Sequence, residues 1–96
     1  MAIQSFSDQK AQTLFETGKI EKGTPWANVK KIVIRKLDML DYASILQDLQ
    51  SPPGNHLEAL TRELVGRHSI RINDQWRIVF RWTVLGPAEV RITDYH

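Results

Sequence analysis

Arg67-His68-Ser69-Ile70-Arg71-Ile72-Asn73-Asp74-Gln75-Trp76-Arg77-Ile78-Val79-Phe80-Arg81-Trp82 is the stretch that decides the fold. Its period is two. His68, Ile70 and Ile72 alternate with arginine and serine, and Trp76, Ile78, Phe80 and Trp82 alternate with Arg77, Val79 and Arg81. Such alternation marks strands with one buried face. The turn between them sets the register. A two-residue turn at Asn73-Asp74 would pair Ile72 with Gln75 and Ile70 with Arg77, mixing apolar and charged side chains on one face. A three-residue loop, Asn73-Asp74-Gln75, instead pairs Ile72 with Trp76, Ile70 with Ile78 and His68 with Phe80. One face is then uniformly apolar, and a slip by one residue would ruin it. The three-residue loop is the expected one.

That register has a consequence on the other face. It sets Arg71 opposite Arg77 and Arg67 opposite Arg81, and like charges directly across a ladder are destabilising. After a turn at Thr83–Pro87, Val90 and Ile92 alternate with Glu89, Arg91 and Thr93, so a third strand brings Arg91 to the same side. Tyr95 follows if the alternation continues. The expectation is a solvent-facing, arginine-lined sheet face suited to a polyanion. The competing expectation is that Asp74, Glu58, Glu63 or Glu89 neutralises these arginines.

Working outward, the segment before this meander is helical. Trp26, Val29, Val33, Leu37 and Leu40 recur at steps of three and four, one face of a helix. Thr24 is placed to cap it and Pro25 to start it. Asp8 can cap an earlier helix running to about Gly18, and residues 2–6 could form a short strand. Ile45, Leu46 and Leu49 suggest one further helical turn, ended by the irregular Ser51-Pro52-Pro53-Gly54-Asn55. The fold class is therefore α+β, with two to three N-terminal helices packed on a mainly antiparallel sheet ending in a three-stranded meander. The length of 96 residues suits one domain, 1–96.

Composition narrows the function. An apolar share of 42% and a charged share of 25% suit a folded chain. Cysteine is absent, which excludes disulfides, thiol catalysis and thiolate metal sites. No run is long and apolar enough to span a bilayer and no signal peptide is visible, so a cytoplasmic location and no membrane partner are expected. The net charge of +2 is small, but its distribution is uneven. All six lysines lie between Lys10 and Lys36, whereas six of the seven arginines lie from Arg62 onward. Arginine is the residue for forked contacts to phosphate. His56, His68 and His96 are scattered and the glycines isolated, so neither a metal site nor a phosphate-cradling loop is expected. His68 falls on the apolar face and reads as a core histidine.

Metal-free RNA cleavage fits this inventory, because RNA brings its own nucleophile, the 2′-hydroxyl. The protein must align it, take its proton, stabilise the phosphate and protonate the leaving oxygen. Arg77 and Arg71 could hold the phosphate, and Tyr95 or His96 could move protons.

Residues 51–60 (Ser-Pro-Pro-Gly-Asn-His-Leu-Glu-Ala-Leu), residues 68–80 and the final Asp94-Tyr95-His96 resemble the HigB-type toxins of the RelE superfamily. The N-terminal Ile-Gln-Ser-Phe and residues 14–19 fit too. The resemblance implies a RelE-like fold whose concave sheet face carries the site. It also implies a ribosome-dependent endoribonuclease, without cofactor, that cuts messenger RNA in the A site and is inhibited by a HigA-type helix-turn-helix antitoxin. By the same resemblance Arg77 contacts the scissile phosphate, Tyr95 orients or helps deprotonate the attacking hydroxyl, His96 is a further catalytic candidate, and Asp94 positions its neighbours. Arg71, Arg91, Arg62, His56, Arg67 and Arg81 complete the expected RNA-binding set. The family's Lys-Gly-Asp after the Leu-Glu-x-Leu stretch reads Thr61-Arg62-Glu63 here, so the lysine's place falls on Thr61 and Arg62 could supply the cation from one position along, and many relatives carry arginine where this chain has His56. The alternatives are a non-enzymatic ribosome- or RNA-binding inhibitor of translation and an inactive antitoxin-binding relative.

Overall fold

The computed structural model of the chain describes residues 2–94. Two α-helices, α1 (Gln9–Thr17) and α2 (Lys30–Tyr42), precede four strands: β1 (Glu58–Ala59), β2 (His68–Arg71), β3 (Trp76–Thr83) and β4 (Gly86–Asp94). The strands form one antiparallel sheet in the order β1-β2-β3-β4. The architecture is α+β, as expected.

The hairpin register is the one the three-residue loop demands. His68 pairs with Phe80, Ile70 with Ile78 and Arg71 with Arg77, and Ile72 N–H donates to the Trp76 carbonyl at 2.9 Å. The apolar face buries Ile70, Ile78, Phe80, Val90 and Ile92 against Val33, Leu37 and Leu40 of α2 and Ala11 and Leu14 of α1. Helix α1 is bounded as its sequence indicates. Asp8 Oδ1 accepts from Ala11 N–H at 3.2 Å, and left-handed Gly18 returns its N–H to Leu14. The other Asp8 oxygen accepts from Ile92 N–H at 3.0 Å, tying this helix to β4.

Several local expectations are corrected. Thr24 does not cap α2. Its hydroxyl donates back to the Glu21 carbonyl at 2.6 Å, a 3-10 turn occupies Ala27–Val29, and the α-helix starts only at Lys30. The short strand expected at residues 2–6 is not a strand. This segment lies along β4 instead, with a single parallel bridge between Phe6 and Val90. Strand β1 had no periodic signal, since two residues cannot show a period. The 45–49 turn is a 3-10 helix, Leu46–Gln50.

One irregularity matters for the site. Val79 pairs with Arg91, but Arg81 pairs with Ala88, so β4 carries an extra residue opposite Phe80. This is a β-bulge, and Glu89 within it has φ of 53°.

Candidate functional site

The face of the sheet turned away from the helices carries Arg67, Ser69 and Arg71 from the β2 run, Arg77, Val79 and Arg81 from β3, and Arg91 and Thr93 from β4. Four of these five arginines divide into two groups about 13 Å apart, four residues along an extended strand, and Arg91 lies opposite Val79 between them.

At one end, Arg67 and Arg81 both close on Glu89. Arg67 Nη2 donates to Oε1 at 2.9 Å and Arg81 Nε to Oε2 at 2.7 Å. The bulge that gives Glu89 its left-handed backbone sets this carboxylate between the two guanidiniums. Its backbone is held from outside the sheet, with the N–H donating to Ser5 Oγ and the carbonyl accepting from Ser7 Oγ. The hydrogen bond from Arg67, then that from Arg81, holds the Glu89 carboxyl below its ordinary pKa.

At the other end Arg77 is the central group. The expectation that it points to solvent is wrong, since it is 7% exposed. Its Nε donates to Ser69 Oγ at 2.8 Å, an Nη2 donates to the His56 carbonyl, and Nη1 stands 3.8 Å from Glu58 Oε1. Strict alternation hides this arrangement. It treats the face as open, whereas the loop entering β1 brings His56 and Glu58 onto the guanidinium. The neighbouring Arg71 pairs with Asp74 at the hairpin tip. The expectation that Asp74, Glu58 or Glu89 takes up arginine charge therefore holds in part, and Glu63 makes no such pair among the described residues.

Arg91 is half-buried beside Val79, and its Nε has no hydrogen-bond partner among the described residues. No ion pair reaches it among the described residues. Arg62 is exposed, with φ of 58°, in the connection between β1 and β2 that leads toward Arg67. His56 is exposed, with φ of 44°, and contributes its carbonyl to Arg77. Asp94 is exposed at the end of β4, accepts from Gln75 Nε2 at 3.0 Å and lies opposite Trp76, next to the Arg71–Arg77 end. Tyr95 and His96 lie outside the described residues. His68 sits on the core face and stacks on Phe80, but its Nδ1 is buried without a partner among the described residues. It is not the satisfied core histidine that its position suggests.

Sequence reading missed one buried cation. Lys36 sits on α2 beside the core residue Leu37 and is 6% exposed. Its ammonium donates to Asn55 Oδ1. Burial pushes its pKa below the usual lysine range, and the positive charges of Arg35 and Arg71 push the same way. The helical wheel puts position 36 one step from the apolar face, which was its only signal.

Against this geometry stands the comparison with known proteins. Residues 4–96 match the family model described as the RelE-like toxin of the type II toxin-antitoxin system HigB. The chain belongs to this toxin family. It is 38% identical over 82 residues to Toxin HigB-1 of Vibrio cholerae, covering 85% of this chain and 84% of that protein. It is also 34% identical over 79 residues to an uncharacterised protein of Haemophilus influenzae, covering 82% of this chain and 77% of the relative. Membership of a type II system brings an antitoxin as partner, and the two helices packed on an antiparallel sheet agree with a RelE-like toxin. No helix among the described residues is long and apolar enough to cross a membrane.

Proposed function

We propose that this HigB-family toxin is a ribosome-dependent endoribonuclease that cuts messenger RNA in the A site without a metal ion, and that a HigA-type helix-turn-helix protein is its antitoxin. The 2′-hydroxyl attacks the adjacent phosphorus. The 2′-O–P bond forms and the P–O5′ bond breaks, leaving a cyclic phosphate and a free 5′-hydroxyl. Arg77 receives the negative charge that builds on the phosphoryl oxygens, with Arg71 beside it. Arg91, Arg62, Arg67, Arg81 and His56 take flanking RNA. Tyr95 and His96 handle the two protons, and Asp94 positions them.

The observation that carries this reading is the setting of Arg77. A guanidinium fixed by Ser69 and a backbone carbonyl and shielded from bulk water offers a directed charge at no cost in reorganisation, which is how electrostatic stabilisation becomes large. Its contact to Glu58 is long, at 3.8 Å, so that carboxylate holds the guanidinium only loosely. Asp94 ends its strand at the same edge, and the two proton-handling candidates follow it in the chain.

The test is to express wild type and Arg77→Ala briefly in growing bacteria and to map message 5′ ends. New ends at A-site codons with wild type alone are expected. Translation arrest without new ends would leave a blocking protein, and equal toxicity of Arg77→Ala would remove Arg77 from the reaction.

A further inference from the structure

Arg77 does not hold its orientation alone, and the residues that hold it lead back to α2. Its Nη2 donates to the carbonyl of His56. That carbonyl belongs to a residue with left-handed backbone, and Asn55, just before it, is fully buried. The Asn55 Nδ2 donates to the Leu49 carbonyl at 3.2 Å and the Ser51 carbonyl at 3.3 Å, and its own N–H donates to the Pro52 carbonyl at 2.9 Å. The other polar atom of the Asn55 side chain, Oδ1, accepts from the Lys36 ammonium.

A lysine at this depth needs a reason. Position 36 lies among core residues, where a leucine or methionine would avoid the cost of burying a charge. An ammonium has only donors, so it dictates which end of the Asn55 amide faces it. The Nδ2 is thereby committed to the Leu49 and Ser51 carbonyls, and the loop that presents the His56 carbonyl is fixed in one conformation.

We propose that Lys36 is a positioning residue for Arg77, acting through the Asn55–His56 segment. Its effect on rate rests on the ribonuclease reading above; its effect on the Arg77 guanidinium does not.

The experiment separates the two. In nitrogen-labelled protein the Arg77 Nε–H, bonded to Ser69, gives its own resonance, assigned by its loss in Arg77→Lys. In Lys36→Met this resonance is expected to move and to exchange faster with solvent, and cleavage of ribosome-bound message to fall about 100-fold, the scale of a small misplacement in a reacting site. Lys36→Arg, which still donates to Asn55, should keep both near wild type. Val33→Ala serves as the control for plain destabilisation, since it loosens the same helix without touching this chain of contacts, and its Arg77 resonance should stay in place. If Lys36→Met does not fold, Asn55→Asp, which keeps the acceptor but loses the Nδ2 donors, should show the same shift. A folded Lys36→Met or Asn55→Asp with an unmoved resonance would overturn the proposal. Absence of cleavage by wild type would instead remove the ribonuclease reading and leave the resonance to decide.

Discussion

Arg71 and Arg77 stand directly opposite one another on adjacent strands, yet each guanidinium is turned to a different acceptor: Arg71 to Asp74 at the hairpin tip, Arg77 to Ser69 and the His56 carbonyl. The repulsion that this register imposes is thus relieved separately at each residue, and Arg77 is left buried and aligned.

Ser69→Ala removes the acceptor of Arg77 Nε from a buried position. A hydrogen bond to a charged group is worth about 1.5–3 kcal/mol, so stability should fall by that order. Urea denaturation with an unchanged m-value measures it. Under the ribonuclease reading, kcat should drop more than KM rises, because the lost contact orients a group that acts on developing charge.

Glu89→Gln tests the other arginine group through pH. The carboxyl has a lower pKa folded than unfolded, because Arg67 and then Arg81 hydrogen-bond to its ionised form. The stability it contributes is present above the ordinary carboxylate range and fades as pH falls through the folded-state pKa. Thermal melts of wild type should therefore exceed those of Glu89→Gln at neutral pH and converge with them in acid. A constant difference across the range would contradict the assignment.

Arg91→Ala should separate binding from folding. Its Nε makes no hydrogen bond and no ion pair ties it down among the described residues, so thermal stability should change little. Its affinity for single-stranded RNA should weaken, and the slope of log K against log salt should flatten by about 0.7, the loss of one phosphate contact. Fluorescence anisotropy with a short labelled RNA at several salt concentrations measures both.

Phe80→Ala addresses the core. The ring is fully buried between the sheet and the helices, and such truncations cost about 3–5 kcal/mol. For a chain of this size that is a large part of the available stability, so the variant should melt well below wild type by circular dichroism.

The hairpin register was legible because only one loop length keeps His68, Ile70, Ile72, Trp76, Ile78 and Phe80 on one face. The presence of arginines opposite followed from it. Their surroundings did not, because they depend on contacts distant in sequence. Nothing near Arg77 announces that His56, 21 positions earlier, reaches it, and alternation cannot foresee the bulge that hands Glu89 to Arg67 and Arg81. Lys36 stands at the edge of the apolar stripe, and a wheel does not show that the Asn55 loop packs over that edge. Thr24 failed as a cap for a local reason, its hydroxyl being spent on the Glu21 carbonyl.

The N-terminal segment beside β4 has a bearing on assembly. Gln4 N–H donates to the Pro87 carbonyl, Val90 N–H to the Ser5 carbonyl and Ser7 N–H to the Val90 carbonyl, so the outer rim of the longest strand is already occupied by the chain itself. An incoming polypeptide that augments the sheet at β4 must first peel that segment away. Trimming the segment would leave an uncapped nine-residue ribbon, a template for self-association between copies.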